Sequence, residues 1–337
     1  MQKKQIFWLA FCFLLVSTGL MGQQSYKLAF YNVENLFDIE DDPATLDEDF
    51  TPEGVQKWDM ERYQLKIGKI AQVMDSLGRP NFIGLAEIEN KKVLEDLINA
   101  PGLVEEDYGI IHKDSPDVRG IDVALLYKKK DFKVLETEFI RVNFPEFIEK
   151  DYTTRDILYA KGKLSNGDII HLFVNHWPSR RGGLEQSEPK RLFVAQQVRK
   201  AVDEILRKEP SAKIVIMGDF NDEPDNTSIN SVLGALPDSS ASLEGLLYNC
   251  FYSFHTEKKG SYYYRGDWNM LDQFIVSADL RNPQGSLLVK KATIVDFSWL
   301  MYKGKDGFTP NRTYGGPNYY GGFSDHLPVS IELMGRK

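Results

Sequence analysis

The groups in this chain that could do chemistry sit where short apolar runs end. Asn32 follows residues 28–31, Glu87 follows 83–86 and His176 follows 172–174. Asp219 and Asn221 follow 214–217 across Gly218, and the pair Asp325-His326 directly precedes 327–331. One Asn or Asp at a strand end is ordinarily a turn former; five such positions in one chain make that explanation hard to sustain. Carboxylates that hold Mg2+ through oxygen, a neutral amide, and histidines that exchange protons near neutral pH together equip a site for metal-assisted hydrolysis of a phosphate ester. Mg2+ retains several waters, so Glu87 with Asn32 and Asp325 suffices as a ligand set, with Mn2+ as a substitute. The sequence has no HExxH, no CxxC pair and no zinc-type histidine spacing, and it lacks a P-loop and a GxSxG elbow.

The elements that must position these groups are legible. Tyr63, Ile67, Ile70, Met74 and Leu77 form one apolar stripe on a helix over 60–77, stopped by Gly78 and Pro80. Val93, Leu94, Leu97 and Ile98 share a face of a helix over 91–99, and Leu192, Ala195, Val198, Val202 and Ile205 share one over 190–208. Strand-like runs cover 26–33, 82–86, 108–112, 121–127, 132–137, 157–164, 169–174, 214–217, 251–254, 273–277 and 329–333. Ser165-Asn-Gly-Asp168 joins two of them as a hairpin. Runs of strands interrupted by two long helices indicate mixed sheets with helices outside. The acidic stretch 38–53 reads as a solvated loop and the Gly- and Tyr-rich stretch 304–322 as the most loop-like segment.

Six segments then carry a resemblance. Phe30-Tyr-Asn-Val-Glu-Asn-Leu-Phe37, Gly84-Leu-Ala-Glu-Ile-Glu89, Val174-Asn-His-Trp-Pro-Ser179, Met217-Gly-Asp-Phe-Asn-Asp222, Leu271-Asp-Gln-Phe-Ile275 and Phe323-Ser-Asp-His-Leu-Pro-Val329 occur in that order. The chain resembles the endonuclease/exonuclease/phosphatase superfamily, in its deoxyribonuclease I-like form, from about Lys27 onward. The resemblance implies a four-layer α/β sandwich, two mixed β-sheets packed face to face with helices outside. By similarity Glu87 is the principal metal ligand, with Asn32 beside it and Asp325 completing the shell. Asp219 and Asn221 position the attacking water and the phosphate oxygens. His326, oriented by Asp272, acts as general base or as a phosphate-contacting cation. His176 contacts the phosphate or assists the leaving oxygen. Arg155 is placed to hold phosphate, with Arg119 as a further candidate. Glu34, Glu89, Asp222 and Asp122 are assigned supporting roles. His112, His171 and His255 match no motif. Trp177 is expected to pack, and Trp58 and Trp268 to lie in loops that meet substrate.

Composition bounds the remaining choices. With 337 residues, 42% hydrophobic and 27% charged, the chain is ordinary globular material, which excludes a disordered chain, a collagen-like fibre and a polytopic membrane protein. A net charge of −8 argues against gripping nucleic acid through bulk positive charge. Lys3 and Lys4, the apolar run 6–16 and small residues to Gly22 have the grammar of a secretory signal, so residues 1–22 are expected to be removed and 23–337 exported to the periplasm or beyond. Only Cys250 then remains, without an internal disulfide. The expectation is a monomeric, Mg2+-dependent phosphodiesterase, foremost an endonuclease on DNA or RNA. The alternatives are a phosphatase or phospholipase C-like enzyme on a lipid or other small phosphate ester, and an inactive binding protein on the same fold.

Overall fold

The computed structural model describes residues 24–240, 247–305 and 307–335; the candidate signal segment lies outside them. Both faces of the central strands are buried, which is why their sequences read as continuous apolar runs. In Ser25–Leu36, Leu28 and Phe30 enter one core, and Ala29, Tyr31 and Val33 enter another. Lys213–Asp219 divides the same way: Val215 and Met217 join Phe30, while Ile214 and Ile216 pack under a helix. Period-two side-chain alternation thus builds four layers, with two sheets sharing a central core and helices covering each outer face.

The first sheet has six strands in the order Leu287–Ile294, Val329–Gly335, Ser25–Leu36, Phe82–Ile88, Asp122–Lys128 and Tyr108–His112. The second has seven, in the order Phe132–Ile140, Ile157–Leu164, Ile169–His176, Lys213–Asp219, Asp272–Ser277, Leu247–Asn249 and Ala235–Pro237. Both mix parallel and antiparallel pairs. Helices α1 (Met60–Ser76) and α2 (Lys91–Ile98) cover the first sheet through Tyr63, Ile67, Ile70, Val93, Leu94 and Leu97. Their N-caps are Asp59, which accepts from Arg62 N at 3.0 Å, and Asn90, which accepts from Val93 N at 3.1 Å. Helix α3 (Leu184–Lys208) covers the second sheet through Val194, Ala195, Val198 and Val202.

Four local expectations change. Helix α3 starts six residues before Lys190 and runs through Pro189, because Ser187 Oγ donates to Gly183 O at 2.6 Å and Arg191 reaches back to Leu184 O at 3.2 Å. Residues 251–254 are not a strand: Tyr252–Thr256 is a short helix, and the i, i+3 spacing of Phe251 and Phe254 stacks their rings at 5.4 Å. The stretch 38–53 is less solvated than its charge suggests, since Asp38 and Asp47 are buried and Phe50 stacks on Phe37 at 4.2 Å. The loop-like stretch 304–322 carries two small ribbons, Met301–Gly304 with Gly307–Pro310 and Tyr314–Gly315 with Asn318–Tyr319.

Gly218 shows how tightly the second sheet is drawn together at its functional end. A Cβ there would lie 2.4 Å from the carbonyl oxygen of Asn175, its partner on the adjacent strand. Gly218→Ala must therefore spread the strands where His176 and Asp219 emerge. We expect a loss of about 1–3 kcal/mol in chemical denaturation; an unchanged unfolding midpoint would refute this reading of the contact.

Candidate active site

Strand register assembles most of the site. In the second sheet His176 pairs with Asp219, and Asp219 with Asp272, so three reactive side chains stand abreast on neighbouring strands. In the first sheet Asn32 pairs with Ala86, which brings it beside Glu87. Glu87 has a φ of 65°, and the pairing of its strand slips between Ala86 and Ile88. Glu34, Asn35 and Asn221 also have positive φ, at 53°, 55° and 50°. Such backbone is costly for residues with a Cβ and clusters where side chains must be aimed.

A cleft of about 330 Å3 opens at this rim. Glu87, Arg119, His176, Asp219, Asn221, Asp325 and His326 line it, together with Tyr262, Tyr264 and Arg180. Asp219 is its centre. Its Oδ2 accepts from Asn32 Nδ2 at 3.1 Å and its Oδ1 from Asn221 N at 2.9 Å, and Oδ2 lies 3.6 Å from His176 Nε2 and 3.8 Å from His326 Nε2. Asp272 stands behind His326, with Oδ2 2.6 Å from Nδ1, and is itself fixed by Ser261 Oγ at 2.5 Å. Ser324 Oγ accepts from His326 N at 3.0 Å and donates to Asn32 O at 2.7 Å, tying the histidine's backbone to the first strand.

Burial and these neighbours set the two histidines apart. Burial disfavours the His326 cation, but Asp272 and Asp219 outweigh it and raise the imidazole well above its ordinary value. Burial, reinforced by Arg155, Arg119 and His326, drives His176 well below it. At neutral pH His326 is therefore an imidazolium and His176 a neutral ring. Burial also lifts Asp219 to about 6, with Asp272 adding to the rise and His326 opposing it. A carboxylate poised there suits proton exchange near neutral pH.

The donor chemistry fits a hard divalent ion. Among the described residues Glu87 accepts hydrogen bonds only from neutral amides, Asn32 Nδ2 at 3.2 Å and Asn35 N at 2.9 Å. Burial first, and the charge of Asp325 second, raise its proton affinity. A carboxylate burdened by a second one in the same cleft is what an oxygen-seeking cation relieves, while Asp325 itself also meets Arg312 at 3.0 Å. Asn32 differs from the expected ligand role. Its amide oxygen accepts from Glu34 N at 3.0 Å, so its NH2 group faces Glu87 and Asp219 and clamps both carboxylates. Asp219, Asp272 and His326 also have ligand-like spacing, but the imidazolium already supplies the positive charge there.

Two sequence expectations fail on geometry. Arg155 does not reach the cleft. Its Nε donates to His176 O at 3.1 Å, its second guanidinium nitrogen to Trp177 O at 2.6 Å and its third to Asp117 Oδ2 at 2.8 Å, so its donors are spent on the backbone beneath His176. Arg119, bound to the other oxygen of the same Asp117 at 3.2 Å, is the arginine that lines the cleft. Trp58 is fully buried and donates to Phe37 O at 2.9 Å, which leaves no face for substrate. Trp268 lies outside the cleft lining and packs on Tyr263 at 5.4 Å. Trp177 packs edge-on against Phe220 at 4.9 Å, as expected.

The supporting acids turn away from the cleft. Asp222 pairs with fully buried Arg191 at 2.8 Å, Glu34 accepts from Thr313 N at 2.5 Å, Glu89 from Asp38 N at 2.5 Å and Asp122 from Ser115 N at 2.9 Å.

Sequence reading missed the hairpin Tyr262–Tyr264 with Asp267–Asn269. Its signal was three consecutive tyrosines before Arg265-Gly266, both of positive φ. Tyr262 lies over His326 with ring centroids 4.8 Å apart. Arg180, also missed, lies four residues past the His176 strand, ahead of Arg181 and two glycines, and anchors the cleft wall through Asn221 O at 2.7 Å.

The two arginines separate experimentally. Arg155→Met takes from buried Asp117 the shorter of its two arginine contacts, leaves two carbonyls unpaired and should cost about 3 kcal/mol of stability. Arg119→Met should leave stability within about 0.5 kcal/mol while raising KM. Denaturation curves beside Michaelis plots decide it, and equal effects would undo the distinction.

Residues 27–335 match the endonuclease/exonuclease/phosphatase family, and the chain belongs to it. Its members are metal-dependent phosphoesterases, and this chain is a hydrolase of that general class. Solved structures share the fold. An endonuclease/exonuclease/phosphatase family protein from Bacteroides thetaiotaomicron is 18% identical with a TM-score of 0.57, over 94% of this chain and 99% of that one. The mannosyl-6-phosphatase Bt3783 of the same species is 18% identical with a TM-score of 0.55, over 91% and 99%. TDP2 of D. rerio, complexed with single-strand DNA product, is 14% identical with a TM-score of 0.56, over 92% and 98%. No curated protein matches the sequence.

Proposed function

We propose that the chain is an exported, Mg2+-dependent phosphodiesterase whose substrate is nucleic acid. The observation that carries the reaction is Asp219, set between protonated His326 and neutral His176 and facing the carboxylates of Glu87 and Asp325 across one cleft. Glu87 and Asp325 would hold the ion, with Asn32 fixing the Glu87 carboxylate. When bound, the ion supplies positive charge to the phosphate and to the leaving oxygen. Asp219 takes the proton of the attacking water, and Asn221 helps to place that water. His326 and Arg119 meet the charge on the phosphate oxygens, and His176 serves the leaving oxygen.

Support for a nucleic-acid substrate comes from the cleft rim. Tyr262 and Tyr264 stack nearly parallel at 6.3 Å, Tyr264 is half exposed, and Arg181 shares the lining. Aromatic faces beside a local cation bind unpaired bases without a basic groove, which accommodates the acidic net charge. A small phosphate monoester is the second reading, favoured by a cleft of about 330 Å3, near the lower size of small-molecule sites. Circular plasmid, single-stranded DNA, RNA and sugar phosphates with Mg2+ or Mn2+ separate the readings. Nicked or linear plasmid supports an endonuclease, and an untouched plasmid with phosphate release supports the monoester. No product from any of them would sink both. Cell fractionation tests export.

A further inference from the structure

A second ligand cluster lies away from the cleft carboxylates. His112 ends one strand of the first sheet, Asp122 begins the antiparallel strand beside it, and Asp114 stands in the connection. One ligand atom from each falls within 4.8 Å of the others. The His112 side chain is only 2% exposed, yet its Nε2 has no hydrogen-bond partner. That nitrogen lies 3.6 Å from Asp122 Oδ2, and Asp114 Oδ1 lies 3.9 Å from Nδ1. Asp122 spends Oδ1 on Ser115 N, so Oδ2 is the atom it offers. A tetrahedral ion with bonds of about 2.1 Å holds its donors about 3.4 Å apart. The 3.6 Å from Nε2 to Asp122 Oδ2 is close to that; Asp114 stands nearer the opposite ring nitrogen and, 81% exposed, is free to swing round to the Nε2 side and complete the set.

We propose that His112, Asp114 and Asp122 form a separate binding site for a divalent transition-metal ion of the Zn2+ type. An imidazole with two carboxylates suits such an ion better than Mg2+, which prefers oxygen alone. The arrangement differs from the sequence expectation of no zinc site, because the fold, and not a local motif, brings the three ligands together. The ion would close the base of the loop 113–121. That loop carries Asp117, which holds both Arg119 and Arg155, so the site steadies the arginine of the catalytic cleft from outside it.

The test uses the full chain carrying Glu87→Gln, so that binding at the catalytic carboxylates does not confuse the count, and titrates Zn2+ alone by calorimetry and thermal melting. One Zn2+ per chain should be lost on adding His112→Gln. Asp114→Asn, at an exposed position that puts no fold at risk, should weaken that binding about 10- to 100-fold. The melting temperature should rise with Zn2+ in the parent and not in His112→Gln. Zn2+ binding unchanged by Asp114→Asn, or no binding in the parent, would leave only an ion pair between His112 and Asp122 and overturn the proposal. If His112→Gln fails to fold, the Asp114→Asn titration decides alone.

Discussion

Asp219→Asn should lower kcat about a thousandfold, the scale of a lost general base, with KM changed far less. Asn32 and Asn221 donate to different oxygens of Asp219, so the single amide oxygen of the variant keeps one of the two hydrogen bonds, enough for the fold to survive. The pH profile adds a second, independent readout. Asp219 must be ionised and His326 protonated, so wild-type activity should fall about tenfold per unit as pH drops below about 6. It should fall again above neutrality, where His326, raised by Asp272 and Asp219, loses its proton. The variant should lose the acid limb. Stability should move the other way. A carboxyl whose folded-state pKa is raised costs the fold its stability as pH climbs from the unfolded value through the folded one. In EDTA at pH 8 the variant should therefore melt no lower than wild type, with the comparison turning less favourable to it near pH 4. A variant that retained wild-type kcat would overturn the assignment of the base.

Glu87→Gln is the second large effect. It removes one charge from the cleft and keeps an oxygen for one of Asn32 and Asn35, which address different oxygens of Glu87. Affinity for Mn2+, followed by electron paramagnetic resonance without substrate, should fall at least about 10- to 100-fold, more than loss of an outer partner brings. Turnover should fall with it and recover only in part at high metal concentration. Asn32→Ala should weaken Mn2+ less, because Asn32 orients the carboxylate through its NH2 group. Equal losses would return Asn32 to the ligand role that the motif implies.

The legibility of this protein in its sequence depended on how local the information was. The hairpin at Ser165-Asn-Gly-Asp168 forms as read, with Gly167 at φ 96° and Leu164 N donating to Asp168 O at 2.8 Å, because four residues settle it. The strand-end groups were visible because buried parallel strands leave long apolar runs, and a polar residue closing one stands out. Arg155 was harder. Its motif marks it as important, but whether a guanidinium faces a ligand or the carbonyls of Trp177 and His176 depends on an adjacent strand and on Asp117, far away in the sequence. Trp58 failed for a related reason, since a tryptophan in a loop is exposed only if no Phe37 carbonyl and no aromatic cluster receive it. The tyrosine hairpin was overlooked because strands of three residues carry too little periodicity to register.

The last strand, Val329–Gly335, lies between Ser25–Leu36 and Leu287–Ile294. The first strand therefore has one edge unpaired until residues 329–335 dock against it, and an unpaired edge recruits foreign strands. The form of the protein in which residues 329–335 have not yet paired should be the species that a chaperone meets.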